Sequence, residues 1–327
     1  MKEKKYVEYL RGRKVAEDAI GSAVGYVKMF ERRLKAQGRR LDSVTVDDVE
    51  RYVSELMVEG RNTFDRVLAI QRYMNVIGRS EAAIHLYFVL SARLIYGSIS
   101  DRLAGLTDEE TRGRVFSRVQ VPPVGAPVET FPEATRQLMR SLAEELSPEV
   151  YRRVLAGNHH GVPAEAFNKH KEWLREAGSV DGFLVRVHEE AVAEITRYME
   201  EGRIWYEQEI TPEVVELVRG NQEILSAVRD GEWLYETKIP FAPKDWLVEK
   251  DPLMKRFYAC HCPLARSAIV SGADDVPLDW CYCSGGFEKW MFDVVFGVET
   301  EVEVLESAVA GSDRCRFRVR IPEGVPI

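Results

Sequence analysis

The sequence has few of the residues that most often carry metal and acid–base chemistry: its 327 residues include five cysteines and six histidines. It also lacks the short signatures of several large enzyme classes. There is no GxxxxGK[ST] phosphate loop, no GxGxxG turn and no GxSxG elbow. Their absence argues against P-loop nucleotide hydrolases, dinucleotide oxidoreductases and α/β-hydrolases. No apolar run reaches the roughly 18 residues of a membrane span. The nearest, 82–96, contains His85 and Arg93. The N-terminal MKEKKYVEYLRGRK has no apolar core of the kind a secretory leader carries. The expectation is a cytoplasmic protein with no membrane partner. Thiols stay reduced in that compartment, which favours metal or catalytic chemistry over structural disulfides.

What is present suffices for a sizeable core: 45% of residues are hydrophobic and 30% charged. The net charge of −8 is unevenly spread. Residues 1–105 carry 19 Lys and Arg against 14 Asp and Glu, and the remainder 26 against 39. A mildly basic front and an acidic back suggest two units with different surroundings.

The front reads as helices. Ala23, Val27, Phe30 and Leu34 recur at helical spacing before Gly38. Thr45 with Asp47 and Asp48 marks a capped start, followed by Val46, Val49, Val53 and Leu56 and closed by Gly60. Phe64, Val67, Ile70, Met74 and Ile77 form a third stripe, ended by Gly78. Residues 82–96 are apolar nearly all round, which suits the centre of a bundle or a homodimer interface. Thr107 and Glu110 read as a capping box. Four prolines in 120–133 bar a helix or central strand there. The expected division is a helical bundle over 1–118, a Pro-rich linker over 119–133 and a cysteine-rich α+β domain over 134–327. In that domain Ser147 and Thr211 precede prolines at helix starts, and a long helix runs over about 179–201. Period-two patterns predict strands over 232–239, 257–262 and 278–283, then a turn at Gly285 and Gly286 into a short helix over 287–296. Glu299, Glu301 and Glu303, against Arg316, Arg318 and Arg320, predict a hairpin with paired charges on one face.

Four of the five cysteines form two CxC pairs, Cys260 with Cys262 and Cys281 with Cys283. On a strand, CxC puts both thiols on one face. Two such strands side by side would gather four thiols, an arrangement suited to a soft metal, a redox couple or a nucleophile. The CxxC spacing usual in zinc sites is absent. Asn158, His159 and His160 follow a helix stop and read as a loop. His188 and Glu189 read as a solvated helix face, and Trp205, Tyr206, Glu207 and Trp233 as core or pocket lining.

The segments YVEYLRGRKVAEDAIGSAVGYVKMFERRL, LDSVTVDDVERYVSEL and NTFDRVLAIQRYMNVI resemble the helical core-binding domain of phage-type integrases, over roughly residues 3–104. In that family the domain grips DNA, but no Arg/His/Tyr catalytic domain follows here. The stretch LDWCYCSGGFEKWMFDVVFGVETEVEVLESAVAGSDRCRFRVRIP resembles the 4-vinyl-reductase-like domain and is similar to the related aminothiazoline-carboxylate hydrolases. That family ends on Glu-x-x-Cys, a Gly turn and Cys-x-Phe. Glu306 and the run from Cys315 to Phe317 match, Cys283 sits near an upstream family cysteine, and Val309 stands where a cysteine is expected. The resemblance implies an α+β fold and a zinc ion held by Cys283, Glu306 and Cys315, with Cys260, Cys262 or Cys281 supplying the missing thiolate.

The functional expectation is a thiolate site for a metal, zinc first and an iron–sulfur cluster as alternative, which binds or senses a small organic ligand. The alternative is a hydrolase using a cysteine nucleophile or metal-bound water, with Cys260 and His261 as catalytic candidates. A third reading is a DNA-binding regulator acting through the bundle.

Overall fold

The computed structural model describes residues 1–272 and 276–325. The chain is α+β, with many helices and, among the described residues, one four-stranded antiparallel sheet in the C-terminal part. Two compact units divide it: Met1–Leu94 with Val121–Pro127, and Ile95–Gln120 with Val128–Ile327.

The first unit is built from α1 (Glu3–Gly12), α2 (Glu17–Ala36), α3 (Val46–Val58), α4 (Phe64–Ile77) and the start of α5 (Ser80–Leu106). The stripes read from the sequence point inward: Val27, Phe30 and Leu34 from α2, Val49, Val53 and Leu56 from α3, and Val67, Ile70 and Met74 from α4 are buried together. Thr45 and Asp48 close a capping box, with Asp48 Oδ2 accepting the Thr45 backbone N–H at 3.0 Å. Residues 121–127 pack with this unit, and Asn62 Nδ2 donates to the Val124 carbonyl at 2.7 Å.

Helix α5 is longer than the expected 82–96. Its apolar spacing continues through Ile99 and Leu103, both fully buried, with no proline to stop it. By length and composition it could cross a membrane, although half of its most apolar window is buried inside the protein, as in a core helix. The next helix, α6 (Glu109–Phe116), is capped by Asp108, which accepts the Thr111 backbone N–H at 2.7 Å. The expected cap, Thr107, instead gives its hydroxyl to the Leu103 carbonyl.

The second unit continues with α7 (Phe131–Glu145), α8 (Pro148–Leu155), α9 (Asn168–Ala177), α10 (Val180–Glu200) and α11 (Pro212–Arg219). Then come β1 (Val228–Asp230), β2 (Trp233–Thr237), α12 (Pro243–Val248), α13 (Pro252–Ala259), α14 (Arg266–Ser271), α15 (Tyr282–Phe296), β3 (Val302–Glu306) and β4 (Arg316–Arg320). The sheet order is β1-β2-β4-β3. β3 and β4 pair antiparallel, with Glu303 opposite Arg318 and an ion pair of 2.6 Å between them. The Glu/Arg alternation breaks at Leu305, where the register shifts, and Arg316 turns to Glu223 at 2.6 Å.

Two expected strands are not strands. Residues 252–259 form α13, because Asp251 caps it by accepting the Leu253 and Met254 N–H groups and Pro252 occupies the first turn. Residues 278–281 form a 3₁₀ turn that runs into α15. Gly285 and Gly286 lie inside α15 and do not form a turn. A Cβ on Gly286 would lie 2.5 Å from backbone atoms of Ala156 and Gly157, so the bare glycine lets α15 approach the end of α8.

Candidate functional site

Strand β2 carries the first unusual feature. Side chains alternate along a strand, so Leu234, Glu236 and, just past its end, Lys238 share a face. Leu234 is fully buried and Glu236 nearly so. Charged residues on such a face need partners. Lys238 Nζ lies 2.9 Å from Glu288 Oε1, donates to Ser284 Oγ at 3.0 Å and sits 4.9 Å from the Phe287 ring centroid. Its backbone N–H donates to the Cys315 carbonyl at 2.9 Å. Burial opposes the Lys238 charge, but Glu288 and the nearby thiols outweigh it and hold the ammonium above its ordinary range. Burial first, and then the Glu288 charge, push the Glu236 carboxyl well up; among the described residues its Oε2 has no hydrogen-bond partner.

Three of the five thiols, those of Cys262, Cys283 and Cys315, interact electrostatically with this lysine. None is in a disulfide; Cys260, Cys281, Cys283 and Cys315 are buried and Cys262 is half-buried. Cys260 leaves α13, Cys262 opens the turn before α14, Cys281 and Cys283 start α15, and Cys315 precedes β4. They interact electrostatically: Cys260 with Cys315, Cys262 and Cys281, and Cys283 with Cys262. Burial pushes every one of them up.

Cys262 differs from the rest. Its sulfur accepts the Trp280 indole N–H at 3.3 Å. The Trp280, Leu264 and Ala265 N–H groups and the Lys238 charge all favour its thiolate against the burial. The turn holding it is braced: Thr135 Oγ1 donates to the Leu264 carbonyl at 2.8 Å, and the Tyr96 hydroxyl lies 2.8 Å from Thr135 Oγ1. Cys281 Sγ lies 2.9 Å from Ser307 Oγ.

The other expected residues fall as follows. His261 Nε2 is 2.5 Å from the Ile239 carbonyl, and the ring meets Phe241 edge-on. Burial and the Lys238 charge lower it to about 3, so it is neutral and a weak base. Glu306 is held by Arg314 at 2.7 Å and Ser312 at 2.9 Å, and Arg314 keeps its carboxyl low. His159 is buried between Ser98 Oγ and the Val154 carbonyl, and burial lowers it to about 4. His160 packs against the Phe287 ring and is likewise lowered to about 4, by burial and then by Lys238. His188, expected on a solvated face, reaches the Val218 carbonyl at 2.8 Å. The CxC pairs interact electrostatically, Cys260 with Cys281 and Cys262 with Cys283, but they sit in a turn and a helix start, and among the described residues no two-stranded platform carries them. Among the described residues, no group of three or more His, Cys, Asp or Glu side chains is placed to hold a metal ion.

Glu236, Lys238 and Glu288 were missed in the sequence. The signal was available: in WLYETK the alternation sets an acid and a lysine on the same face as Leu234. A cavity of about 370 Å³ opens elsewhere in this unit, lined by Arg102, Asn158, Lys289 and Glu299 among others, with no cysteine. Within it Lys289 pairs with Asp293 and Arg102 with Glu299.

Residues 235–325, which hold this cluster apart from its braces on earlier helices, match a family of unknown function, DUF6144. No curated protein and no solved structure matches the chain.

Proposed function

We propose that the second unit carries out thiol-dependent covalent chemistry on a small organic molecule, with Cys262 as the nucleophile. One observation carries this reading: Cys262 is the one cysteine residue of the five that is not fully buried, and its enclosed sulfur accepts the Trp280 N–H beside the Lys238 ammonium. A hydrogen-bond donor and a positive charge at a sulfur favour the thiolate, which is the reactive form. In the hydrolytic form, Cys262 sulfur bonds to an acyl carbon and the C–N bond breaks. The thiol proton ends on the leaving nitrogen. Water then replaces sulfur at the acyl carbon, giving the acid and restoring the thiol. A reducing, cytoplasmic setting keeps the five thiols available.

Per-cysteine alkylation by iodoacetamide, read by mass spectrometry, tests this. Cys262 is expected to label first. Trp280→Phe should slow it roughly tenfold, because a hydrogen bond to a charged group contributes about 1.5–3 kcal/mol. Labelling of Cys262 no faster than the buried thiols sinks the reading.

The gathering of five thiols favours a second reading, a soft metal ion bound after side-chain rearrangement, zinc or an iron–sulfur cluster. Elemental analysis of untagged protein, with a visible spectrum, decides it: less than a tenth of an equivalent of any transition metal rules it out.

A further inference from the structure

Arg266 follows Cys262 by four residues, and its backbone N–H donates to the Cys262 carbonyl at 2.9 Å. Its guanidinium carbon lies 4.3 Å from the Phe241 ring centroid and 4.1 Å from that of Phe257. Stacking uses the faces of the guanidinium and leaves its in-plane N–H fork unspent. Among the described residues, no hydrogen bond or ion pair engages that fork. Other arginines of this unit behave differently: Arg316 takes Glu223, Arg318 takes Glu303 and Arg229 takes Asp181. Arg266 is half-buried, and burial works against its charge, so a fixed, unpaired guanidinium is costly to keep.

The acid nearest in effect is Glu207, which feels the Arg266 charge without bonding to it. Glu207 lies at the tip of a two-residue turn between Trp205 and Gln208, where Tyr206 and Glu207 have φ of +46° and +68°. Neither residue type favours that conformation, and strain of this kind tends to persist at ligand sites. Although Glu207 reaches the surface, its surroundings raise its carboxyl to about 7. One aromatic ring, Phe241, separates the guanidinium from the imidazole of His261, the neighbour of Cys262.

We propose that Arg266 is the recognition point for an oxyanion, carboxylate or phosphate, on the small molecule that reaches Cys262. This rests on the reading of Cys262 only for what happens next to the anion. The guanidinium fork matches two oxygens of such a group, and the two aromatic rings hold it ready.

The test is calorimetric titration of the full chain with inorganic phosphate and, separately, with acetate, at constant ionic strength and with chloride as the control. At least one of the two should bind above the chloride response. Arg266→Lys keeps the charge but loses the fork, and should weaken that binding about tenfold or more. Binding of phosphate alone assigns a phosphate group, and of acetate alone a carboxylate. Anion binding by the parent together with Cys262 labelling no faster than that of the buried thiols overturns only the nucleophile reading. No response above chloride in the parent, or an Arg266→Lys response equal to the parent's, overturns the proposal. Should Arg266→Lys fail to fold, Glu207→Gln replaces it. Removing the competing acid should then tighten anion binding, and an unchanged affinity overturns the proposal.

Discussion

The two units bury different materials. The first closes over Phe30, Val27, Leu34, Ile70, Met74 and their neighbours, and sends most of its charges outward: Arg33 to Glu55, Lys28 to Glu3, Arg11 to Glu17. Its buried charged residues are Asp48, whose Oδ2 takes the cap of α3 and Arg39 at 2.8 Å, and Arg66, which donates to the Arg61 carbonyl at 3.0 Å. The second buries Glu236, Lys289, His159 and four thiols, with Lys238 nearly enclosed. Hydrocarbon in a core follows from the hydrophobic effect and says little about function. Buried titratable groups cost free energy unless paired, so their concentration in one unit is the more informative fact. Under the function proposed above, the first unit's core serves stability and the second unit's cluster serves chemistry.

The largest expected effect breaks that contrast directly. Lys238→Met leaves Glu288 without its counter-charge and should cost about 3–5 kcal/mol, while also slowing alkylation of Cys262. Phe30→Ala, at a fully buried position of the first unit, should cost a similar 3–5 kcal/mol or so and leave the Cys262 rate in folded protein unchanged. Denaturant midpoints with alkylation rates separate the two. Equal loss of Cys262 reactivity in both variants would erase the contrast.

A smaller effect concerns acid. His159 is neutral and buried, with a folded value of about 4 against an ordinary 6.5. The unfolded chain therefore takes up the proton first. The stability that neutral His159 contributes is complete above pH 6.5 and is lost as pH falls towards 4. The loss is on the order of 3 kcal/mol. Urea midpoints measured across that range should fall with pH in the parent and fall less steeply in His159→Gln.

The smallest effect lies on the solvent side of the sheet. Arg318 pairs with Glu303 and lies 4.1 Å from the Trp233 ring centroid. Arg318→Ala should cost only about 0.2–1 kcal/mol and leave Cys262 untouched. A cost of several kcal/mol would mean that these surface pairs contribute as much as the buried one.

Much of the helical architecture was legible residue by residue. The stripe through Val27, Phe30 and Leu34, the cap at Thr45 and the prolines after Ser147 and Thr211 each act within a few positions, so the sequence displays them directly. The hairpin charges were legible for the same reason, up to the break at Leu305. The CxC segments were misread because apolar and aromatic residues at short range fit strand and helix alike. Asp251 with Pro252 was the decisive helix signal for the first. For the second, Gly285 and Gly286 looked like a turn, yet serve close packing.

By itself, the sequence determined the fold class, the helix faces and caps, and the fact that thiols cluster by type near the C-terminal end. Caps, breakers and periodicity are local, and local physics can be read in one dimension. Only the tertiary structure decided which thiol meets an indole N–H. Trp280 meets Cys262, Lys238 meets Glu288 and Arg266 meets Phe241 across 18, 50 and 25 positions of chain respectively. Contacts at such separations depend on how helices and sheet pack, and burial sets the charge state of every group that they bring together.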